Sequence, residues 1–207
     1  MSTLMARAVQ QRTLKTRARL TDAARQIIAE YGYEGLRIEE VVKRAGVAKG
    51  TFFAHFHDKD ALMDILIGAE IDSYLDRIEV CSPPRTIDDL LDALLPLLEF
   101  MSCERYVFDV ILRHSGAAAC DAIGPIAETF ARHDAVVAEW LADGPFRNDV
   151  SPDLLAQGIQ AFSVQSIALN FCAINNTVPL RTRLSEYLTA WLLPDSQSAA
   201  AHSAARA

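Results

Sequence analysis

Paired cysteine motifs, long apolar runs and frequent glycine or proline are all missing from these 207 residues. The four cysteines, Cys81, Cys103, Cys120 and Cys172, show no C-x-x-C spacing, which argues against both a zinc site and a disulfide framework. They read mostly as small buried hydrophobes. No run of about 18 apolar residues is present, and no apolar segment precedes a small-residue cleavage site near the N-terminus. A soluble, cytoplasmic chain without a membrane partner is expected. Only 9 glycines and 8 prolines punctuate the sequence, and the intervals between them carry apolar residues at helical spacing. The fold class is therefore all-α. With 51% hydrophobic residues the chain can bury a sizeable core, in one or two domains.

Charge is unevenly distributed. The net −7 conceals a basic head, because residues 1–60 hold 11 Lys and Arg against 7 Asp and Glu, whereas residues 61–207 hold 9 against 20. A basic head on an acidic body points to a nucleic-acid module joined to something else. Charge is then absent altogether from Leu154 to Asn175. A surface helix carries charge on its wet face, so this one is expected to be covered on more than one side.

About nine helices are expected. Leu20, Ala24, Ile27, Ile28 and Tyr31 form one stripe on a helix from Thr13 to Tyr31, stopped by Gly32. Ile38, Val41, Val42 and Ala45 form a second stripe ended by Gly46, and a third short helix spans Ala48 to His55. Asp58 is placed to cap a fourth, which the Cys81-Ser82-Pro83-Pro84 break ends. Thr86 caps a fifth, a sixth runs from Glu104 to His114, and a seventh from Pro125 to Ala142. Ser151-Pro152-Asp153 opens an eighth helix reaching Asn175, and a ninth spans Leu180 to Leu193. The Ser/Ala-rich residues 195–207 are expected to be a disordered tail.

The segment Ile38 to Phe56 has the organisation of a helix-turn-helix. Val41, Val42, Ala45, Val47 and Phe52 can pack its helices together, leaving Lys49, Gly50, Thr51, Phe53 and His55 for a partner. The short third helix suits a major groove about 12 Å wide. Lys49 offers a point charge to phosphate or a guanine edge, Gly50 admits a close DNA backbone, and Thr51 offers a hydroxyl or a methyl. Lys59 can join the free amides of the fourth helix at a phosphate.

Three blocks together, Tyr31-Gly32-Tyr33-Glu34-Gly35, Ile38 to Phe53, and His55-Phe56 with Lys59-Asp60-Ala61-Leu62, resemble the N-terminal domain of TetR-family transcriptional regulators. The likeness covers roughly residues 15 to 65, and beyond it only the all-α architecture corresponds. Three positions depart from the pattern. Arg37 stands where the family has a capping Thr or Ser, leaving Glu40 as half of a capping box. Phe53 replaces tyrosine, and Ala48 replaces a frequent serine. More of the affinity is then expected from charges such as Lys15, Arg17, Arg37, Lys49 and Lys59.

The resemblance implies an N-terminal three-helix DNA-binding domain (1–60) and a helical ligand-binding and dimerisation bundle (61–194). It implies a homodimer on double-stranded operator DNA, most simply a repressor released by a small-molecule effector of unknown identity. Helix four would then act as the lever between the ligand and the DNA. A ligand cavity among helices five to eight would draw on the aromatics Phe130 and Trp140 and on Tyr106, His133, Gln165 and Asn170, polar groups set in apolar stripes that orient a mostly apolar ligand. Phe162, Leu169, Leu184 and Trp191 are the expected dimer contacts on helices eight and nine. No cofactor or metal is indicated, since His55 and His57 diverge by about 200° on a helix and His114 and His133 lack evident carboxylate partners. A ligand-independent regulator with a filled core, and a helical carrier or enzyme that owns a DNA-binding-like head, are the alternatives.

Overall fold

The computed structural model describes residues 2–116, 123–172, 174 and 177–193. Among them nine α-helices occur and no strand: α1 (Ser2–Gly35), α2 (Ile38–Ala45), α3 (Lys49–His55), α4 (Lys59–Glu79), α5 (Ile87–Met101), α6 (Arg105–His114), α7 (Pro125–Ala142), α8 (Pro152–Asn170) and α9 (Leu180–Leu192). Cys120 and the tail after Leu193 lie outside the described residues.

Local chemistry explains most of the boundaries. α1 begins well before Thr13, because Ala, Leu, Met, Arg and Gln are good helix formers and no glycine or proline precedes the apolar stripe. Gly32, at φ 75° and ψ 174°, breaks its helical geometry. Thr86 caps α5 with a full capping box, its hydroxyl accepting from the Asp89 amide at 3.1 Å while Asp89 accepts from the Thr86 amide at 3.0 Å. Ser151 caps α8 ahead of Pro152, as the sequence predicts. α8 stops at Asn170, short of Asn175, where Cys172 donates back to Leu169 in a tightened turn.

The chain divides into two compact units, Met1–Ala69 with Tyr106–Ile126, and Glu70–Arg105 with Ala127–Ala207. In the first, α1 packs on α2 and α2 on α3. Leu20, Ala24 and Ile27 meet Val41, Val42, Ala45 and Phe52 in a core that is almost wholly buried. Most of α6 belongs to this unit and buries Val107, Phe108, Val110 and Ile111. The buried carboxylate of Asp64 on α4 accepts from the Ile126 amide at 3.0 Å and so caps the N-terminus of α7.

In the second unit α5, α8 and α9 pack against one another around Leu94, Leu98, Leu155, Ile159, Leu184 and Leu188. Ion pairs reinforce the packing, with Arg181 of α9 bridging Asp88 at 3.0 Å and Asp92 at 2.6 Å of α5. Arg132 of α7 reaches Asp72, Asp76 and Glu79, spaced along α4, at 2.9, 2.7 and 2.8 Å. α8, uncharged from Leu154 onward, approaches α9 closely at Gly158, where a β-carbon would clash with the Trp191 indole.

The cysteines correct the sequence reading. Cys81 and Cys103 are exposed and Cys172 is half-buried, because all three sit at helix ends rather than on apolar stripes.

Candidate functional site

The helix-turn-helix is built by its turn. Gly46 takes φ 63° and ψ 44°, the left-handed geometry that ends α2, and the Val47 amide donates to Val42 O at 3.0 Å across it. Arg19 of α1 donates to the carbonyl oxygens of Ala45 and Gly46, satisfying the end of α2 from outside. Arg44 clamps Glu30 of α1 through two bonds of 2.6 and 3.0 Å. Phe52 is fully buried, its ring 5.4 Å from both Phe53 and Phe56. Its burial fixes the rotation of α3 and thereby which residues face outward.

Lys49, Gly50 and Phe53 are exposed, and Thr51 and His55 half-buried. Gly50 would place a β-carbon in open space, so its smallness serves nothing inside the unit. Lys49 Nζ lies 2.5 Å from Glu39 Oε1, and this pair holds the Glu39 carboxyl below the usual carboxylate range. Lys15 is exposed on α1. Arg37 turns back on the α1–α2 junction, donating to Glu34 O at 2.6 Å and Leu36 O at 3.2 Å, while no side chain caps α2 or α3. Arg17 stacks on Phe56, 4.9 Å from the ring centroid.

Asp58 opens α4, accepting from the Ala61 amide at 2.8 Å, and that bond keeps its carboxyl below the ordinary value. Lys59 follows with its ammonium 4.3 Å from the centroid of the Tyr106 ring. Tyr106 donates to Asp60 Oδ1 at 3.2 Å and Arg113 to Asp60 Oδ2 at 2.8 Å, so α6 holds the first turn of α4. Burial, followed by the charge and hydrogen bond of Asp60, raises the Tyr106 phenol far above its ordinary value. Tyr106 thus belongs beside Lys59 rather than in a ligand cavity.

A cavity of about 20 Å³ lies in the second unit, lined by Ile71, Leu97, Leu98, Met101, Phe130 and Val164 with the polar residues Thr129, His133, Gln160 and Ser163. Two of the expected residues, Phe130 and His133, line it. Gln160 replaces Gln165, because residues 160, 163 and 164 share one face of α8 and Gln165, five residues on, is exposed on another. Asn170, near the end of α8, is not among the lining residues. Trp140 borders a separate open cleft of about 490 Å³ with Glu79, Arg85, Glu139 and Asp143.

Of the expected dimer contacts, Phe162, Leu169 and Trp191 are half-buried, whereas Leu184 is fully buried within its own chain. Phe162 packs its ring 5.2 Å from Tyr187 and 5.9 Å from Trp191. Arg183, also buried, donates to Ser166 O at 3.2 Å, a contact that no sequence pattern announced. Among the described residues no group of three or more His, Cys, Asp and Glu could hold a metal ion, and no helix is long and apolar enough to cross a membrane.

Residues 20–65 match the family model of bacterial regulatory proteins of the tetR family. The helix-turn-helix segment is therefore of the TetR family. It is that family's DNA-binding element, and α2, its turn and α3 lie inside the matched segment. Similarity to a named repressor extends beyond that segment. The HTH-type transcriptional repressor DhaR of Mycobacterium sp. (strain GP1) is 27% identical over 88% of this chain and 94% of the relative. The fold is shared with Thermus thermophilus FadR, solved with lauroyl-CoA, at a TM-score of 0.60 and 19% identity over 83% and 91% of the two chains. It is shared also with SmeT, the repressor of a Stenotrophomonas maltophilia efflux pump, solved with triclosan, at 0.54 and 18% over 87% and 93%.

Proposed function

We propose that this protein is a homodimeric TetR-family repressor that holds a pseudo-palindromic operator and releases it when a small molecule occupies the second unit. The observation that carries the reading is the outward set Lys49, Gly50, Thr51 and Phe53, presented on α3 by the burial of Phe52. Two copies of that helix entering successive major grooves require half-sites about 34–36 Å apart. On this reading the chain comprises a DNA-binding head (1–60) and a ligand-binding and dimerisation body (61–194). The relatives accord with it, since DhaR is named a repressor and FadR and SmeT were solved with small molecules.

For the ligand, the support is a cavity walled by apolar side chains with four polar groups among them. For the dimer, it is the half-buried aromatic group Phe162, Tyr187 and Trp191 on α8 and α9. A mobility-shift assay on the DNA flanking the chain's own gene tests the whole reading, with and without candidate ligands. A shift reversed by a ligand supports it, and no shift with any flanking fragment rejects it.

One observation favours a second reading, a ligand-independent regulator. The cavity volume is that of about one water, so any larger ligand has to displace Met101 or Phe130 to enter. A DNA shift that persists against every ligand tested would support this second reading.

A further inference from the structure

Within the cavity the hydrogen-bond donors of Gln160, His133 and Ser163 are already committed to the protein. The amide nitrogen of Gln160 donates to Phe130 O at 3.1 Å and to Asp134 Oδ1 at 2.8 Å. Two acceptors before that nitrogen fix the orientation of the amide, and its oxygen is left as an acceptor. His133 sets Nδ1 3.3 Å from the same Asp134 oxygen. A carboxylate accepts only, so Nδ1 carries a proton toward Asp134, and in the neutral imidazole Nε2 is then the acceptor. The Ser163 hydroxyl donates to Ile159 O at 2.8 Å, again leaving only lone pairs on its oxygen. No Lys or Arg lines the cavity.

Resting on the ligand-responsive reading above, we infer that the cavity takes a neutral, largely apolar molecule carrying a hydrogen-bond donor, an alcohol or a phenol, and discriminates against carboxylates. The hydroxyl fits the 20 Å³ space and donates to His133 Nε2 or Gln160 Oε1, while the apolar body displaces the flexible Met101 and Phe130. A carboxylate brings only acceptors to the lone pairs of His133, Gln160 and Ser163, and it leaves water for a lining that holds no Lys or Arg among the described residues. Asp134 is the positioning residue, holding both the tautomer of His133 and the orientation of Gln160.

Three matched probes test this on the full chain by isothermal titration: 4-butylphenol, 4-butylanisole and 4-butylbenzoate. The phenol is expected to bind at least tenfold more tightly than either of the others, about 1.4 kcal/mol. His133→Leu should erase the preference over the anisole, whereas His133→Gln, which keeps an acceptor, should retain part of it. Unchanged helical content and thermal melting of both variants confirm that they fold. Nitrogen-15 spectra of the ligand-free protein should show His133 as the Nδ1–H tautomer. Tighter binding of the benzoate with operator release overturns the donor requirement and leaves the ligand-responsive reading standing. Equal binding of the anisole, a preserved preference in His133→Leu, or an Nε2–H tautomer also overturns it. Failure of all three probes to bind, with the operator complex unaffected, overturns the inference and counts against ligand responsiveness as well.

Discussion

Lys49, the first residue of the recognition helix, is held 2.5 Å from Glu39 on the preceding helix. A lysine so engaged has to exchange a carboxylate for phosphate or base when DNA arrives. Both side chains are more than half exposed, so solvent screens the pair and it is weak. Glu39→Gln is therefore expected to raise operator affinity about two- to fivefold with no loss of thermal stability. Fluorescence anisotropy at two salt concentrations checks this, and unchanged affinity would mean that Lys49 does not contact DNA.

A second prediction concerns Tyr106. Its ring faces Lys59 and its hydroxyl holds Asp60, so the lysine is positioned by α6. Tyr106→Leu should weaken operator binding and reduce the slope of log affinity against log salt by about one, the signature of one lost phosphate contact. Tyr106→Phe keeps the ring beneath the ammonium and should lose less. In a double-mutant cycle Tyr106→Leu and Lys59→Ala should be non-additive.

Acid titration should expose the helix caps. Asp58 and Asp89 have carboxyl groups held below their ordinary values, each mainly by backbone amides. A depressed folded value means that the stabilisation is complete above the unfolded value near 3.9 and disappears as pH falls through the lower folded value. Thr86→Ala, which removes the other half of the α5 capping box, is expected to cost about 1 kcal/mol at neutral pH. In the Asp58→Asn and Asp89→Asn variants the loss of stability between pH 5 and 2 should be shallower than in the wild type. Urea midpoints across that range measure it.

Gly158→Ala tests the packing of α8 on α9. A methyl group there would meet three atoms of the Trp191 indole within 2.7 Å, and the indole is tied to Leu155 O at 3.1 Å. Trp191 must move, so the melting temperature should fall by several degrees and tryptophan fluorescence should shift. If the dimer contacts lie here, sedimentation should also show weaker association.

Local chemistry made much of this fold legible before any coordinates. Gly46, Thr86 and Ser151 act within a few residues of themselves, and each ends or starts its helix where the sequence places it. Longer-range partners were less legible. α6 buries Val107, Phe108 and Ile111, but its sequence does not say which helix they meet, and Tyr106 lies beside Lys59. On α8 the absence of charge hides which side faces α5, so Gln160 and Gln165 were indistinguishable until packing fixed the rotation. Leu184 looked like an interface residue because apolar stripes do not say whose core they fill. The Lys49–Glu39 pair joins two helices across a turn, a geometry that sequence spacing alone does not reveal.

The central claim is that α3 reads DNA through Lys49 and Thr51. Selecting DNA fragments with the purified protein, then footprinting the selected site with wild type and with a Lys49→Ala, Thr51→Ala double variant, tests it most directly. A pseudo-palindromic footprint with half-sites about 34–36 Å apart is expected, abolished in the double variant while its helical content and oligomeric state are unchanged. A normal footprint from the double variant would contradict it.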